Sequence, residues 1–551
     1  MDKVNFFALG GQDENGKNCY ALEIDSKIYI INSGTKVPIN SHNGIDTLIA
    51  NFDYLEKHEK NIVGIFITDI HNESFSALPW LLMQIKGLKI YTSSFNKYII
   101  LERISKYNIE HNDFEVITFN QKMTVNNVEI TPISLAGALP GIQGFNFNYN
   151  NGNILFLTNF VVGNLGPYGN TDLQKIKHQI PNDPLKILIM DSGHSNSPGK
   201  TIDKLWITGQ VEYKFIETKS NNRIIVGLYD EDMITAHEIL LLAKKYNRPV
   251  ITYGLNYSKL ISLVKKMSPT LQLPEFIDYK IANEVENAVI LVTGAIERLY
   301  TRFLRIASDN DVYLKFKNTD AVIFIAPPVN GLEVKYALTL DEIARTTSNL
   351  IELSSFEYYS CNPAKQDIVD VIKTLKPEYF IPIQGLYRYL TVAVNDAVSE
   401  AKMNLNNCII LNNGKVAEFE KYKLISQKHT IRHVGDVIID GFGVGDISHE
   451  VIRERETLAR DGMIGVSCLI DYKTKQPLGG LNVVGYGIIS KENKEQINDI
   501  VNKCFNKEFE ELDAKVTNLR DIQEKLRKVI RKKIFKVLFK EPLVVVNLYE
   551  I

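Results

Sequence analysis

The chain has 551 residues, 45% hydrophobic and 23% charged, a composition ordinary for a globular protein and long enough for roughly two to four domains. Its 63 Lys and Arg against 65 Asp and Glu leave a net charge of -2, which excludes a uniformly basic nucleic-acid binder, so any contact with RNA must come from local patches. The five cysteines, Cys19, Cys361, Cys408, Cys468 and Cys504, are far apart and odd in number, which fits neither a disulfide framework nor a zinc knuckle; no window reaches the roughly 18 apolar residues of a membrane span, and a cytoplasmic protein without membrane contact is expected.

In chain order, Phe6 to Leu9, Cys19 to Ile24 and Ile28 to Ile31 read as a strand meander broken by a Gly10-Gly11 turn. Ile62 to Ile67 is apolar on both faces, as in a strand covered on both sides, and it empties into a polar turn carrying Asp69, His71, Glu73 and Ser74. A strand followed by closely spaced His and acidic residues is how a metal-dependent hydrolase collects ligands, and a solvated strand-end loop gives the same pattern. Ala77 to Lys86 reads as a helix with Pro79 in its first turn. Strands recur at Val116-Ile117, Met123 to Val125, Val128 to Pro132 and Ile154 to Thr158.

Ile187 to Met190 ends in Asp191, which is either a turn or capping aspartate or a ligand; His194 beside it reads as a surface loop residue. From about Lys204 to Glu357 strands alternate with helices, for example Ile224 to Leu228, Ile234 to Tyr246, Val250 to Thr252, Ala288 to Thr293 and Ala321 to Ala326, which implies a parallel α/β unit. After Gly462 comes a small unit with strands near Ile464 to Ile470, Gly480 to Ile489 and Leu543 to Leu548. Its first helix carries Ile497, Ile500, Val501, Cys504 and Phe505 on one stripe. Its second, Leu519 to Phe539, carries Leu519, Ile522, Leu526, Val529 and Ile534 inside a basic surface.

The turn from Thr68 to Pro79 resembles the Thr-His-x-His-x-Asp-His-x-Gly-Ala-Leu-Pro signature of metallo-β-lactamase-fold nucleases, specifically of the ribonuclease J family. On that resemblance Asp69 stands at the first His, His71 matches the second, Glu73 replaces the Asp and Ser74 the third His. Gly137 stands at the next ligand His, Asn159 at the bridging Asp, Asp191 at a matching acid, and Gln384 at the last His. The family's Ser-Gly-His-Gly-Ser loop, which supplies a catalytic His and helps hold a 5′-monophosphate, aligns with Ser360-Cys361-Asn362-Pro363-Ala364. Glu231 to Thr235 stand where a Ser-Asn-x-His-Arg loop is usual, and an acidic loop repels phosphates. Gly435 to Asp446 and Arg453 to Glu456 keep the family pattern closely.

The resemblance implies an α/β protein with a metallo-β-lactamase αββα sandwich over 1–203 and 357–446, an inserted β-CASP α/β domain over 204–356, a linker at 447–462 and a small α+β C-terminal domain over 463–551. It implies a protein of RNA processing and decay that partners a catalytic ribonuclease J paralogue or itself. With most ligand positions altered, no catalytic residue is expected, the family positions being held by Asn362 and Glu73. No zinc of the kind found in active members is expected either. The alternatives are a weak nuclease holding one Mg2+ or Mn2+ on the remnant Asp69, His71, Glu73 and Asp191, and an RNA-binding scaffold touching RNA through Ser360 and Asn362.

Overall fold

The computed structural model describes residues 2–37, 47–180, 184–201, 209–267, 272–329, 331–353, 362–440, 443–444, 449–490, 492–510 and 518–551. The chain divides into two compact units, one of residues 1–40 and 47–437, the other of 41–46 and 438–551.

In the first unit, two mixed sheets face each other. The eight-stranded sheet runs in the order Lys423–Ser426, Val416–Glu420, Lys3–Gly10, Cys19–Ile24, Lys27–Ile31, Ile62–Phe66, Leu88–Thr92 and Phe114–Thr118. The six-stranded sheet runs Tyr379–Ile383, Leu185–Asp191, Gly152–Leu157, Gln143–Tyr149, Val128–Ser134 and Met123–Val125. Alternate residues of both point into one core, where Phe6, Tyr20, Tyr29, Phe66, Phe145, Phe147 and Phe156 pack with Ile187 and Ile381. Phe66 and Tyr91 stack at 4.7 Å, and Phe66 meets Phe145 edge-on at 5.4 Å.

The outer face of the six-stranded sheet buries Leu155, Leu157, Leu188 and Met190 against helices Lys365–Leu375 and Tyr387–Ser399. On the outside of the eight-stranded sheet Phe7 meets Tyr54 of helix Asp53–Lys57 at 5.1 Å. The helix read from Ala77 to Lys86 spans Leu78–Gln84, with Pro79 in its first turn. Among the elements that the sequence pattern did not reveal are the strands Leu88–Thr92 and Gln143–Tyr149 and the helix Ser94–Ile104.

Residues 209–353 carry a six-stranded sheet, parallel throughout, in the order Phe276–Ile277, Val250–Tyr253, Val289–Gly294, Ile224–Tyr229, Ala321–Ile325 and Leu350–Glu352. Its strands read as continuous apolar runs because helices cover both faces. Tyr300, Phe303 and Ile306 of helix Glu297–Ala307 pack on Ile290, Val292 and Phe324. Arg223 is fully buried in a bidentate pair with Asp320, at 2.9 and 2.6 Å, and spends its other donors on the carbonyls of Ala282 and Lys315.

In the second unit, strand Met463–Ile470 pairs antiparallel with Asn482–Tyr486 and parallel with Leu543–Glu550. Ile464, Val466, Val544 and Val546 face helices Lys494–Glu510 and Leu519–Leu538. The stripe of the second helix is completed by Ile530, which with Ile522, Leu526 and Ile534 is buried, while Leu519 and Val529 are only partly so. Among the described residues, no helix is long and apolar enough to cross a membrane.

Candidate functional site

The strand Ile62–Phe66 delivers the loop 67–77 to the ends of both sheets, and backbone hydrogen bonds clamp it there. Asn18 N–H donates to Glu73 O at 2.9 Å, Ser33 N–H to Ser74 O at 2.8 Å, and Ala77 N–H to Ser33 O at 2.9 Å. The clamp requires glycine at Gly34, where a Cβ would lie 1.5 Å from Glu73 O. Asn32 holds the loop's start, accepting from Thr68 N–H at 3.0 Å and donating to Thr68 Oγ1 at 2.9 Å.

The structure brings Asp69, His71, Glu73, Ser74, Asn159, Asp191, Asn362 and Gln384 into one network. Asn159 and Gln384 follow the ends of strands Gly152–Leu157 and Tyr379–Ile383, and both turn left-handed, with φ of 50° and 64°. Such turns are tolerated by Asn and uncommon for Gln, and here they aim both amides at the loop. Asn159 Nδ2 donates to Asp69 Oδ2 at 3.2 Å and to Ser74 Oγ at 3.1 Å. Gln384 Nε2 donates to Glu73 Oε1 at 2.5 Å and Asn159 Oδ1 at 2.7 Å. Asn362 Nδ2 donates to Asp191 Oδ2 at 2.6 Å and Asn159 Oδ1 at 3.2 Å.

The amide orientations are fixed by their neighbours. Thr158 Oγ1 donates to Gln384 Oε1 at 2.5 Å, so Gln384 presents its NH2 to the acid. Flipping Asn159 would set its oxygen against the Asp69 carboxylate and its NH2 against two other NH2 groups. Asp69 also accepts from Thr68 Oγ1 at 2.6 Å and from the His71 backbone at 2.9 Å, and its Oδ1 lies 2.8 Å from His71 Nδ1.

Burial works to raise the Asp69 carboxyl, but the charge on His71 and the hydrogen bonds from His71 and Thr68 outweigh it and hold it below the usual range. Glu73 is pushed up to about 7, by burial first and then by Asp69 and Asp191, against the pull of His71. Asp191 is pushed up to about 6 by burial, which the bonds from Asn362, Gly193 and Asn159 only partly offset. Asp191 has the geometry of the turn aspartate, accepting from Gly193 N–H at 2.9 Å, and its other oxygen accepts from Asn362 Nδ2 and Asn159 N–H.

Two features escaped the sequence reading. Glu231 reaches across from the parallel-sheet region, where its Oε1 accepts from Asn72 N–H at 2.7 Å; burial and the neighbouring acids raise its carboxyl. Its neighbour Asp232 is an N-cap, accepting from Thr235 N–H at 3.0 Å. The second feature is the space at Gly137, where a Cβ would meet Ile142 Cδ1 at 2.3 Å and Asn159 O at 2.8 Å. Ser360 and Cys361 lie outside the described residues.

The profile of the Ribonuclease J C-terminal domain matches residues 450–551. Over nearly the whole chain the protein is 26% identical to Ribonuclease J2 of Bacillus subtilis, covering 89% of this chain and 88% of that one. It is 24% identical to Ribonuclease J 2 of Staphylococcus aureus, covering 100% and 98%. These matches support a ribonuclease J family paralogue. An uncharacterized protein of Mycoplasma genitalium is 27% identical over 96% of this chain and 95% of its own. A crystal structure of a protein of unknown function from Enterococcus faecalis V583 superposes with a TM-score of 0.50 at 13% identity, covering 76% of this chain and 100% of that one. The fold is accordingly the ribonuclease J arrangement, a metallo-β-lactamase αββα sandwich with an inserted β-CASP α/β domain and a small α+β C-terminal domain.

The zinc pair expected of active ribonuclease J members does not fit these residues. A cation needs lone pairs converging on it, and here NH2 groups of Asn159, Gln384 and Asn362 are directed at the carboxylates of Asp69, Glu73 and Asp191. Among the described residues, no three His, Cys, Asp or Glu side chains are arranged to hold a metal ion.

Proposed function

We propose that this protein is a ribonuclease J family subunit with a non-hydrolytic or strongly impaired site, acting in cytoplasmic RNA processing and decay beside a catalytic paralogue or a second copy of itself. The observation that carries the reading is the set of amide donors on the site's carboxylates, which occupies the acceptor positions a hydrolytic cation would use. Without that cation no group lowers the pKa of a nucleophilic water, and at the family's acid-base His stands Asn362, whose amide cannot shuttle a proton. Near neutral pH the ionised carboxylates of Asp69 and Asp191 add repulsion toward a phosphodiester, while Glu231, raised to about 8, is largely protonated. The C-terminal match over residues 450–551 supports a retained assembly role.

The test is hydrolysis of 5′-monophosphorylated RNA by the purified chain with Zn2+, Mn2+ or Mg2+ in turn. Absent or very weak turnover is expected; robust turnover that disappears in His71→Ala would establish the single-cation nuclease instead. Association is tested by co-purification at native expression, where a chain ending near Gly462 should lose the partner that the full chain retains.

A further inference from the structure

Helix Leu519–Leu538 buries Ile522, Leu526, Ile530 and Ile534 and turns the opposite face to solvent. That face carries Lys528, Lys532, Phe535 and Lys536 at helical spacing and continues into Phe539 and Lys540, all exposed. Phe535 is 44% exposed and Phe539 82%, their rings 6.3 Å apart at 72°.

The fold of this unit accounts for neither ring. Phe539 is the helix C-cap, with φ 53° and ψ 31°, a left-handed position that favours Gly or Asn and penalises a bulky side chain. The cap needs only the backbone, Phe539 N–H donating to Phe535 O at 3.0 Å. A residue that is strained at its backbone and places most of an aromatic ring in water contributes less to stability than glycine would.

Three of the four lysines are equally unspent. Lys525 and Arg531 have carboxylate partners in Glu508 and Glu541 at 2.6 Å, and Lys528 lies 3.7 Å from Glu524. Among the described residues, Lys532, Lys536 and Lys540 form no ion pair. The helix dipole favours cations near a C-terminus, which accounts for Lys536 but not for the rings between the lysines.

Cations alternating with open aromatic faces are what a single-stranded nucleic acid binds, phosphates against the ammonium groups and bases stacked on the rings. We propose that Lys528, Lys532, Phe535, Lys536, Phe539 and Lys540 form a binding strip for single-stranded nucleic acid. The strip works whether or not the buried site around Asn159 hydrolyses RNA. A duplex is a poorer ligand because its bases are already stacked, and a second copy packed symmetrically on the strip would set lysines against lysines.

The full chain is titrated by fluorescence anisotropy with a labelled oligouridine of about 16 nucleotides, the matching DNA strand and an RNA duplex. The wild type is expected to bind the single strands more tightly than the duplex, with the RNA and DNA arms showing whether the sugar is read. Three to four neutralised phosphates give a log affinity against log salt slope of about -2 to -3. Phe535→Ala with Phe539→Gly should weaken binding roughly ten-fold or more, and Lys532→Glu with Lys536→Glu should weaken it further and flatten the slope. Phe539→Gly alone should melt no lower than the wild type, which separates lost binding from lost folding. Unchanged single-strand affinity in both double variants overturns the proposal. So does equal binding of duplex that survives loss of the rings, or a change in sedimentation without a change in RNA affinity, which would make the strip a protein contact.

Discussion

Returning the acid to the centre of the network, Asn159→Asp, removes the donor that Asp69 Oδ2 and Ser74 Oγ now receive at 3.2 and 3.1 Å and sets a second carboxylate at about the first distance. Two unit charges 3.2 Å apart in an effective dielectric of about 20 repel by roughly 5 kcal/mol. The pair escapes part of that by keeping a proton. A carboxyl raised by about three units costs roughly 4 kcal/mol at a pH above its new value, and the donor lost from Ser74 adds about 1 kcal/mol. The expected loss of stability is therefore about 4–5 kcal/mol near pH 7.5, falling to about 2–3 kcal/mol near pH 5, where taking the proton still costs a little because the unfolded carboxyl ionises at about 4. Tryptophan fluorescence reads this unit alone, because both tryptophans, Trp80 and Trp206, lie before residue 437, and Trp80 sits 1% exposed in the helix that follows the loop. Urea unfolding with a chelator present, at both pH values, gives the comparison. A variant within about 1 kcal/mol of the wild type at both would refute the account of amides standing in for cations.

Gly34→Ala should prevent the loop 67–77 from seating, because the added Cβ would lie 1.5 Å from Glu73 O; a loss on the order of 4 kcal/mol or more, or no folded first unit, is expected by circular dichroism. Lys17→Met removes one of the two lysines on the buried Glu14 carboxylate, Lys17 Nζ at 2.8 Å, and leaves Lys36 Nζ at 3.0 Å, so it should cost about 1–3 kcal/mol in the same urea assay; an unchanged midpoint would show that Lys36 alone balances the carboxylate. Glu73 ionises at about 7 in the folded chain and near 4.5 when free. Its protonated form thus supports the fold below about pH 4.5, and that support fades as pH rises through 7. Glu73→Gln should accordingly match the wild type near pH 5 and be about 1–3 kcal/mol more stable near pH 8, and the opposite pH trend would contradict that environment.

The strand Ile62–Phe66, the parallel sheet of residues 224–352 and the C-terminal helices were legible because their apolar spacing states their burial. The strand Gln143–Tyr149 was not, since Phe145 and Phe147 fill one side while Gly144 and Asn146 occupy the other, and Asn146 is buried only by virtue of donating to Asn153 Oδ1 at 2.8 Å. A polar residue whose partner is distant in sequence carries no local sign of burial. The site divides in the same way. That Asn159, Asn362 and Gln384 replace ligands is readable from the chain; that each becomes a donor to a remaining acid depends on strand ends, left-handed turns and on Thr158 fixing an amide from 226 positions away. Ile530 was passed over in the second helix because it sits among Arg527, Lys528 and Arg531 in a basic run, yet the turn of the helix carries it to the core.

An amide hydrogen offsets only part of a carboxylate's charge, and the site shows the remainder. Asp69 has Thr68, His71 and Asn159 and is held below the ordinary range, whereas Glu73 and Asp191, whose amide donors offset the cost of burial only in part, rise to about 7 and about 6. Near neutral pH the network therefore completes its charge balance with protons, where an active relative would use metal. For a cation to enter, the Asn159, Gln384 and Asn362 NH2 groups would have to turn away, breaking six hydrogen bonds that hold one another in orientation. A histidine at 137 would also have to displace Ile142 and the Asn159 carbonyl. Single reversions at such a site should be mutually dependent, since each restored ligand is a buried charge until its companions and the metal arrive with it.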